Sequence, residues 1–99
     1  MKYYFYKLIA PRATFSRDMT GAEGELMQKH VLYWKNLMDK GLVVAFGPVA
    51  DPIQSYGIGI LEVEDDVDVP ALGLDDPAIK ADAGFKFEVH PMPGLILRK

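Results

Sequence analysis

The segment from His30 to Pro52, reading HVLYWKNLMDKGLVVAFGPVADP, constrains this chain most, because it brings a helix to a glycine and enters a buried-type strand with no linker. Upstream, Thr20-Gly-Ala-Glu23 has the spacing of a capping box: the threonine hydroxyl accepts from the amide of Glu23, and the glutamate reaches back. The spacing predicts a helix from Thr20 to about Lys40, with Gly41 as its left-handed stop. At 100° per residue, Met27, His30, Val31, Trp34, Leu37 and Met38 share an arc of about 120°, whereas Gln28, Lys29, Asn36, Asp39 and Lys40 fall outside it. His30 and Trp34 are thus both expected on the inward face. Leu42 to Phe46 reads as the next strand, and Gly47 to Pro52 as a stiff turn in which proline fixes φ.

The rest of the chain fits around this unit. Lys2 to Ile9 is apolar on both alternating faces, as in a strand covered on both sides. Arg12 to Met19 reads as a loop. Gly57 to Glu64 is a third strand whose Gly57 and Gly59 leave room on one face for close approach. A short helix is expected from about Pro70 to Leu74, and Asp76-Pro77 starts another helical turn that stops near Gly84. Phe85, Phe87 and Val89 alternate with Lys86, Glu88 and His90, the pattern of a half-buried strand. The order strand, helix, strand, strand, helix, strand is the split pattern of an α+β, ferredoxin-like βαββαβ fold. It predicts a four-stranded antiparallel sheet with both helices on one face, in a single domain over 1–99. Two helices cover one side only, yet the first and third strands are apolar on both. A second copy packed sheet to sheet, a homodimer in the form of a dimeric α+β barrel, is the expected cover. The apolar tail Leu95-Ile96-Leu97 is a candidate to pair with a partner edge.

Composition excludes several classes of function. With no cysteine, thiol nucleophiles, thiolate zinc sites and redox switching drop out. Eleven basic against 14 acidic residues, and no basic stripe, argue against a nucleic-acid partner. The apolar runs are far short of the roughly 20 residues that cross a bilayer, so no membrane partner is expected. Met1-Lys2 followed by four aromatic residues does not resemble a signal peptide, and the expected location is cytoplasmic.

His30 with Trp34 on the first helix, Phe46-Gly47-Pro48-Val49, the Gly57-to-Asp65 strand running into acid, and Asp76-Pro77 ahead of Gly84-Phe85 together resemble the YCII-related (YciI-like) proteins. The likeness covers nearly the whole chain. It implies a dimeric α+β barrel of ferredoxin-like subunits and a His-Asp pair at a pocket, here His30 and Asp76. The wider superfamily includes cofactor-free isomerases and oxygenases of small aromatic or lactone compounds, and one YCII-like member resembles a dehydrochlorinase. The resemblance therefore implies that no cofactor is needed. Asp82 stands where many relatives are expected to carry a small or polar residue, so the nearby loop is expected to differ.

The resemblance makes His30 and Asp76 the candidate catalytic pair. A histidine is the usual proton-transfer group near neutral pH, and a carboxylate on its other nitrogen fixes the tautomer. The competing reading is structural: a histidine on an apolar helix face can be a satisfied core residue, and Asp76 is already explained as an N-cap. Trp34 is either a wall that stacks on a planar substrate or simply core. Arg12 is a candidate bidentate clamp for a substrate carboxylate, or a solvated loop residue. Tyr4 and Tyr6 share one face of the first strand, where they either line the space between two sheets and bind substrate or only pack. A metal site from His30, His90 and a carboxylate lacks compact ligand spacing, and no metal is expected. The acidic run Glu62 to Asp68 lacks a glycine-punctuated calcium loop and reads as a charged edge. Gly57-Ile-Gly59 lies within a strand, so it is no phosphate loop.

The function expected on these grounds is cofactor-independent proton transfer: isomerisation, elimination or hydrolysis of a small aromatic or carboxylate-bearing compound. The alternative is a small-ligand-binding or accessory dimer without turnover, and a third reading is a structural interaction module.

Overall fold

The computed structural model describes residues 1–98. Its elements are β1 (Lys2–Ile9), α1 (Phe15–Asp18), α2 (Gly21–Asp39), β2 (Val43–Val49), β3 (Tyr56–Val63), α3 (Val69–Leu74), α4 (Pro77–Lys80) and β4 (Lys86–Met92). The strands form one antiparallel sheet in the order β2-β3-β1-β4, with Phe5 opposite Ile60 and His90, and Tyr6 opposite Gly59 and Val89. This is the ferredoxin-like arrangement, with the second helix divided into α3 and α4. Tyr6, Leu8, Leu61 and Val63 on one face of the sheet pack with Trp34 and Leu37 of α2, Val69 of α3 and Ala78 of α4. All the helices that build the core therefore lie on that face.

Local chemistry sets the helix ends. Thr20 and Glu23 make the reciprocal capping box, and the chain leaves α2 through Gly41 at φ +80°. Asp68 caps α3 by accepting from the Ala71 amide, and Asp76 caps α4 by accepting from the Ala78 amide, each just before a first-turn proline. Asp82 takes a left-handed φ of 51° after α4, a conformation that aspartate tolerates better than most side chains.

Four expectations need correction. Gly47 and Pro48 continue β2 to Val49 instead of turning, and β4 runs through Pro91 to Met92. Both prolines sit on edge strands, where a missing amide need not break a ladder bond. The Arg12–Met19 segment contains α1. The buried stripe of α2 is rotated by about 40° from the expected arc: Leu26 and Tyr33 pack on the core, while Val31 and Met38 are each 36% exposed. Tyr33 is drawn in because its hydroxyl donates to the Leu72 carbonyl at 2.6 Å, which ties α2 to α3. Residues 93–98, including the apolar tail, form no strand.

One close approach fixes how α2 sits on the sheet. A Cβ at Gly59 would stand 2.6 Å from Cζ3 of Trp34, so the indole lies directly on the β3 backbone. Only glycine leaves that space.

Candidate active site

The site forms where α2 and the start of α4 meet over β1. Asp76 is completely buried, and both of its oxygens are in use. Oδ1 accepts from the Ala78 amide at 2.9 Å, the N-cap bond. Oδ2 accepts from Trp34 Nε1 at 2.9 Å and Tyr6 Oη at 3.3 Å, and lies 2.7 Å from His30 Nδ1. One carboxylate thus gathers three side chains from two elements distant in sequence.

Electrostatics decides the tautomer. Burial alone would raise the Asp76 carboxyl, but the hydrogen bond and charge of His30, the Trp34 indole N–H and the Ala78 amide outweigh it and hold the group below the ordinary carboxylate range. Asp76 is therefore ionised at neutral pH and can only accept. Nδ1 of His30 must then carry its proton toward Asp76, and in the neutral ring Nε2 keeps a lone pair. Burial, followed by the adjacent Asp76 charge, pushes the Tyr6 hydroxyl well above its ordinary value, so Tyr6 stays a donor.

His30 also lines a cavity of about 300 Å³. Tyr6 and Leu8 of β1 contribute to it, with Phe15 and Ser16 of α1, Met27, Val31 and Trp34 of α2, and Phe46 of β2. Trp34 lies 4.5 Å from the Tyr6 ring, 6.1 Å from Phe46 and 6.3 Å from His30, centroid to centroid. The walls are thus largely aromatic and aliphatic. Ser55 Oγ donates to Ser16 Oγ at 3.2 Å, a second polar point on the lining and an exposed one. An imidazole that lines an apolar cavity and has one nitrogen fixed by a carboxylate is equipped to accept a proton at the other and return it.

The other residues singled out in the sequence fall in different places. Trp34 is 2% exposed core, a cavity wall and a donor to Asp76 at once, so the two readings of it are not exclusive. Tyr6 meets the cavity, but from the helix-covered side of the sheet, not from a space between sheets. Tyr4 shares that side, is half-buried against the core and does not line the cavity. Arg12 does not line it either. Its guanidinium forks Glu23 at 2.8 Å through both terminal nitrogens and binds Asp18 through Nε at 2.8 Å. The capping-box glutamate has taken the place expected for a substrate carboxylate. This pairing, with the Thr20 amide, pulls Glu23 down to about 2. Arg12 thereby fastens α1, which carries Phe15 and Ser16, to the start of α2.

His90 stands on the opposite side of the sheet, 3.0 Å from Glu88, far from His30 in the fold. Among the described residues, no three His, Asp or Glu side chains come together as a metal-binding group. No helix among them is long and apolar enough to cross a membrane. Sequence reasoning missed the Tyr6 and Trp34 bonds to Asp76. The only signal for them was that both residues carry a polar handle and were expected to be buried.

A model of the YCII-related domain matches residues 1–93. Among solved structures, one similar chain is the 5-chloro-2-hydroxyhydroquinone dehydrochlorinase (TftG) from Burkholderia phenoliruptrix AC1100, determined in complex with 2,5-dihydroxybenzoquinone. The two share a TM-score of 0.55 at 22% sequence identity, over 89% of this chain and 91% of that one. At that identity the likeness establishes the fold. No curated protein matches the chain.

Proposed function

This chain belongs to the YCII-related domain family, and we propose that it is a cofactor-independent small-molecule enzyme in which His30 transfers a proton and Asp76 orients the ring. The observation that carries this reading is the 2.7 Å contact between Asp76 Oδ2 and His30 Nδ1, made behind a ring that faces an apolar cavity. In the proposed cycle Nε2 removes a proton from a bound compound, the imidazolium is stabilised by Asp76, and the proton is returned to another atom or to a leaving group. Isomerisation, elimination and hydrolysis share this requirement. Trp34 and Tyr6 are assigned a double role: they support Asp76 and wall the bound ring. The cavity lies at the small end of the range of about 300–1,000 Å³ seen for ligand sites, which suits a single-ring compound. That a similarly folded protein is a dehydrochlorinase whose structure is a complex with 2,5-dihydroxybenzoquinone supports the choice of compounds to test.

The test is a screen of phenols, hydroquinones, quinones and small lactones, followed by proton NMR for consumption and new product. A compound consumed at a rate proportional to protein concentration is the expected result. Saturable thermal protection without any product would sink turnover in favour of a binding protein, and neither effect with any compound would sink both.

We further propose that the active form is a homodimer built on the uncovered sheet face. That face presents Phe5, Ile58 and Ile60 at its centre, all half-buried within the subunit, with Glu88 and His90 toward the β4 edge. An apolar centre beside a polar rim is the anatomy of a protein interface. Light scattering should give twice the chain mass for the wild type, and Ile60→Glu, which sets a charge opposite Phe5, should give a monomer. A monomeric wild type at tens of micromolar would end the proposal.

A further inference from the structure

The cavity also carries information about the charge of what it takes. Among the described residues, none that lines it is Lys, Arg, Asp or Glu, and none is Asn or Gln. The nearby guanidinium, Arg12, is engaged by Glu23 and Asp18. Gln54, beside the lining Ser55, turns its amide to the Ala10 carbonyl. Lys7 lies over the Tyr56 ring at 4.5 Å, on the sheet face turned away from the core. Among the described residues of the cavity wall, the only group able to carry positive charge is therefore His30.

We propose that this cavity selects an uncharged single-ring compound bearing an acidic O–H or C–H, and rejects the carboxylate-bearing compounds that the sequence left open. The inference rests on the reading of His30 as the proton acceptor. In the form that the proposed proton acceptor requires, a neutral His30 ring with Nδ1 donating to ionised Asp76, the pair carries one negative charge. A neutral substrate brings no further charge, and when its proton moves to Nε2 the His30–Asp76 pair becomes neutral while the substrate becomes the anion. The total stays at one negative charge throughout. A carboxylate substrate would put a second uncompensated anion into an apolar cavity beside Asp76, where desolvation and repulsion both oppose it.

The test uses 4-hydroxyacetophenone and 4-hydroxybenzoate, which share shape and hydroxyl but differ in charge at neutral pH. Trp34 is the only tryptophan, so its indole N–H gives one resolved signal at the cavity wall in a two-dimensional ¹⁵N spectrum. The neutral ketone should shift that signal saturably and bind at least about tenfold tighter than the carboxylate. Val31 is 36% exposed on the cavity lining, and Val31→Arg, which supplies the missing cation, should narrow or invert the preference with the fold intact. Equal or tighter binding of 4-hydroxybenzoate by the wild type would overturn the inference, as would the failure of both compounds to move the indole signal. Because no turnover is measured, loss of the catalytic reading in the product screen and loss of charge selection here are separate results.

Discussion

Replacing Asp76 by alanine is expected to cost the fold about 3 kcal/mol or more and to lower the melting temperature by more than about 10 °C. The carboxylate is fully buried and accepts from the Trp34 indole, the Tyr6 hydroxyl and the Ala78 amide while facing His30 Nδ1. Alanine removes all of these acceptors at once. The indole and hydroxyl are then buried donors without partners, each at a cost of about 1–3 kcal/mol, and α4 loses an N-cap typically worth about 1 kcal/mol. Water entering from the cavity offsets part of the sum, which is why the expected total lies below a simple addition. Asp76→Asn should fall between the wild type and Asp76→Ala, since its amide oxygen still accepts but its NH₂ faces donors. Thermal and urea melts decide the matter, and an alanine variant within about 1 kcal/mol of the wild type would show that the donors find water at little cost.

The pH dependence follows in sign. Asp76 is held below the ordinary carboxylate value of about 4, so the native state favours its ionised form more than the unfolded chain does. That contribution is fully present above the unfolded value and is lost as the pH falls through the lower folded value. The part of the stability gap between wild type and Asp76→Asn that comes from this carboxyl should therefore be whole at about pH 5 and shrink below about pH 4. A gap that instead widened as the pH fell below about 4 would mean that Asp76 is protonated in the native state.

The sequence discloses part of this site and hides the rest for a physical reason. Caps, glycine stops and first-turn prolines act over two to four residues, so Thr20, Gly41 and Asp76 can be placed from local chemistry alone, whereas Asp68, read as part of an acidic edge, proves to be the cap of α3. Residues that meet across 42 or 70 positions, as Trp34 and Tyr6 do with Asp76, leave no local trace. Strand alternation shows that Tyr4 and Tyr6 share a face, but it does not say which face the helices cover. The same ambiguity explains Arg12. A guanidinium near the start of a helix and a first-turn glutamate suit one another, yet nothing local states that the pair forms instead of a clamp on substrate. The proline-bearing ends of β2 and β4 are not legible in the sequence, because an edge position is a property of the sheet order, not of the strand.

Replacing His30 by glutamine is expected to reduce turnover of the compound found in the screen by about 10²–10⁴-fold, the range for loss of a positioned acid-base group. It should change stability by no more than about 1 kcal/mol, as expected for one partly solvated hydrogen-bonding side chain. The two effects separate because the two ring nitrogens have different duties. Nδ1 serves the fold by donating to Asp76, and a glutamine amide can supply that N–H from a similar position on α2. Nε2 serves the proposed chemistry, and glutamine has no basic nitrogen to replace it. His30→Ala would blur the comparison, since it removes both duties and leaves Asp76 short of one donor. The measurements are kcat and KM alongside a thermal melt of the same preparation. A fall in kcat with little change in KM and an intact melt assigns the proton to His30. If turnover stays within about threefold of the wild type, the proton moves elsewhere, and the contact with Asp76 is then part of the core architecture.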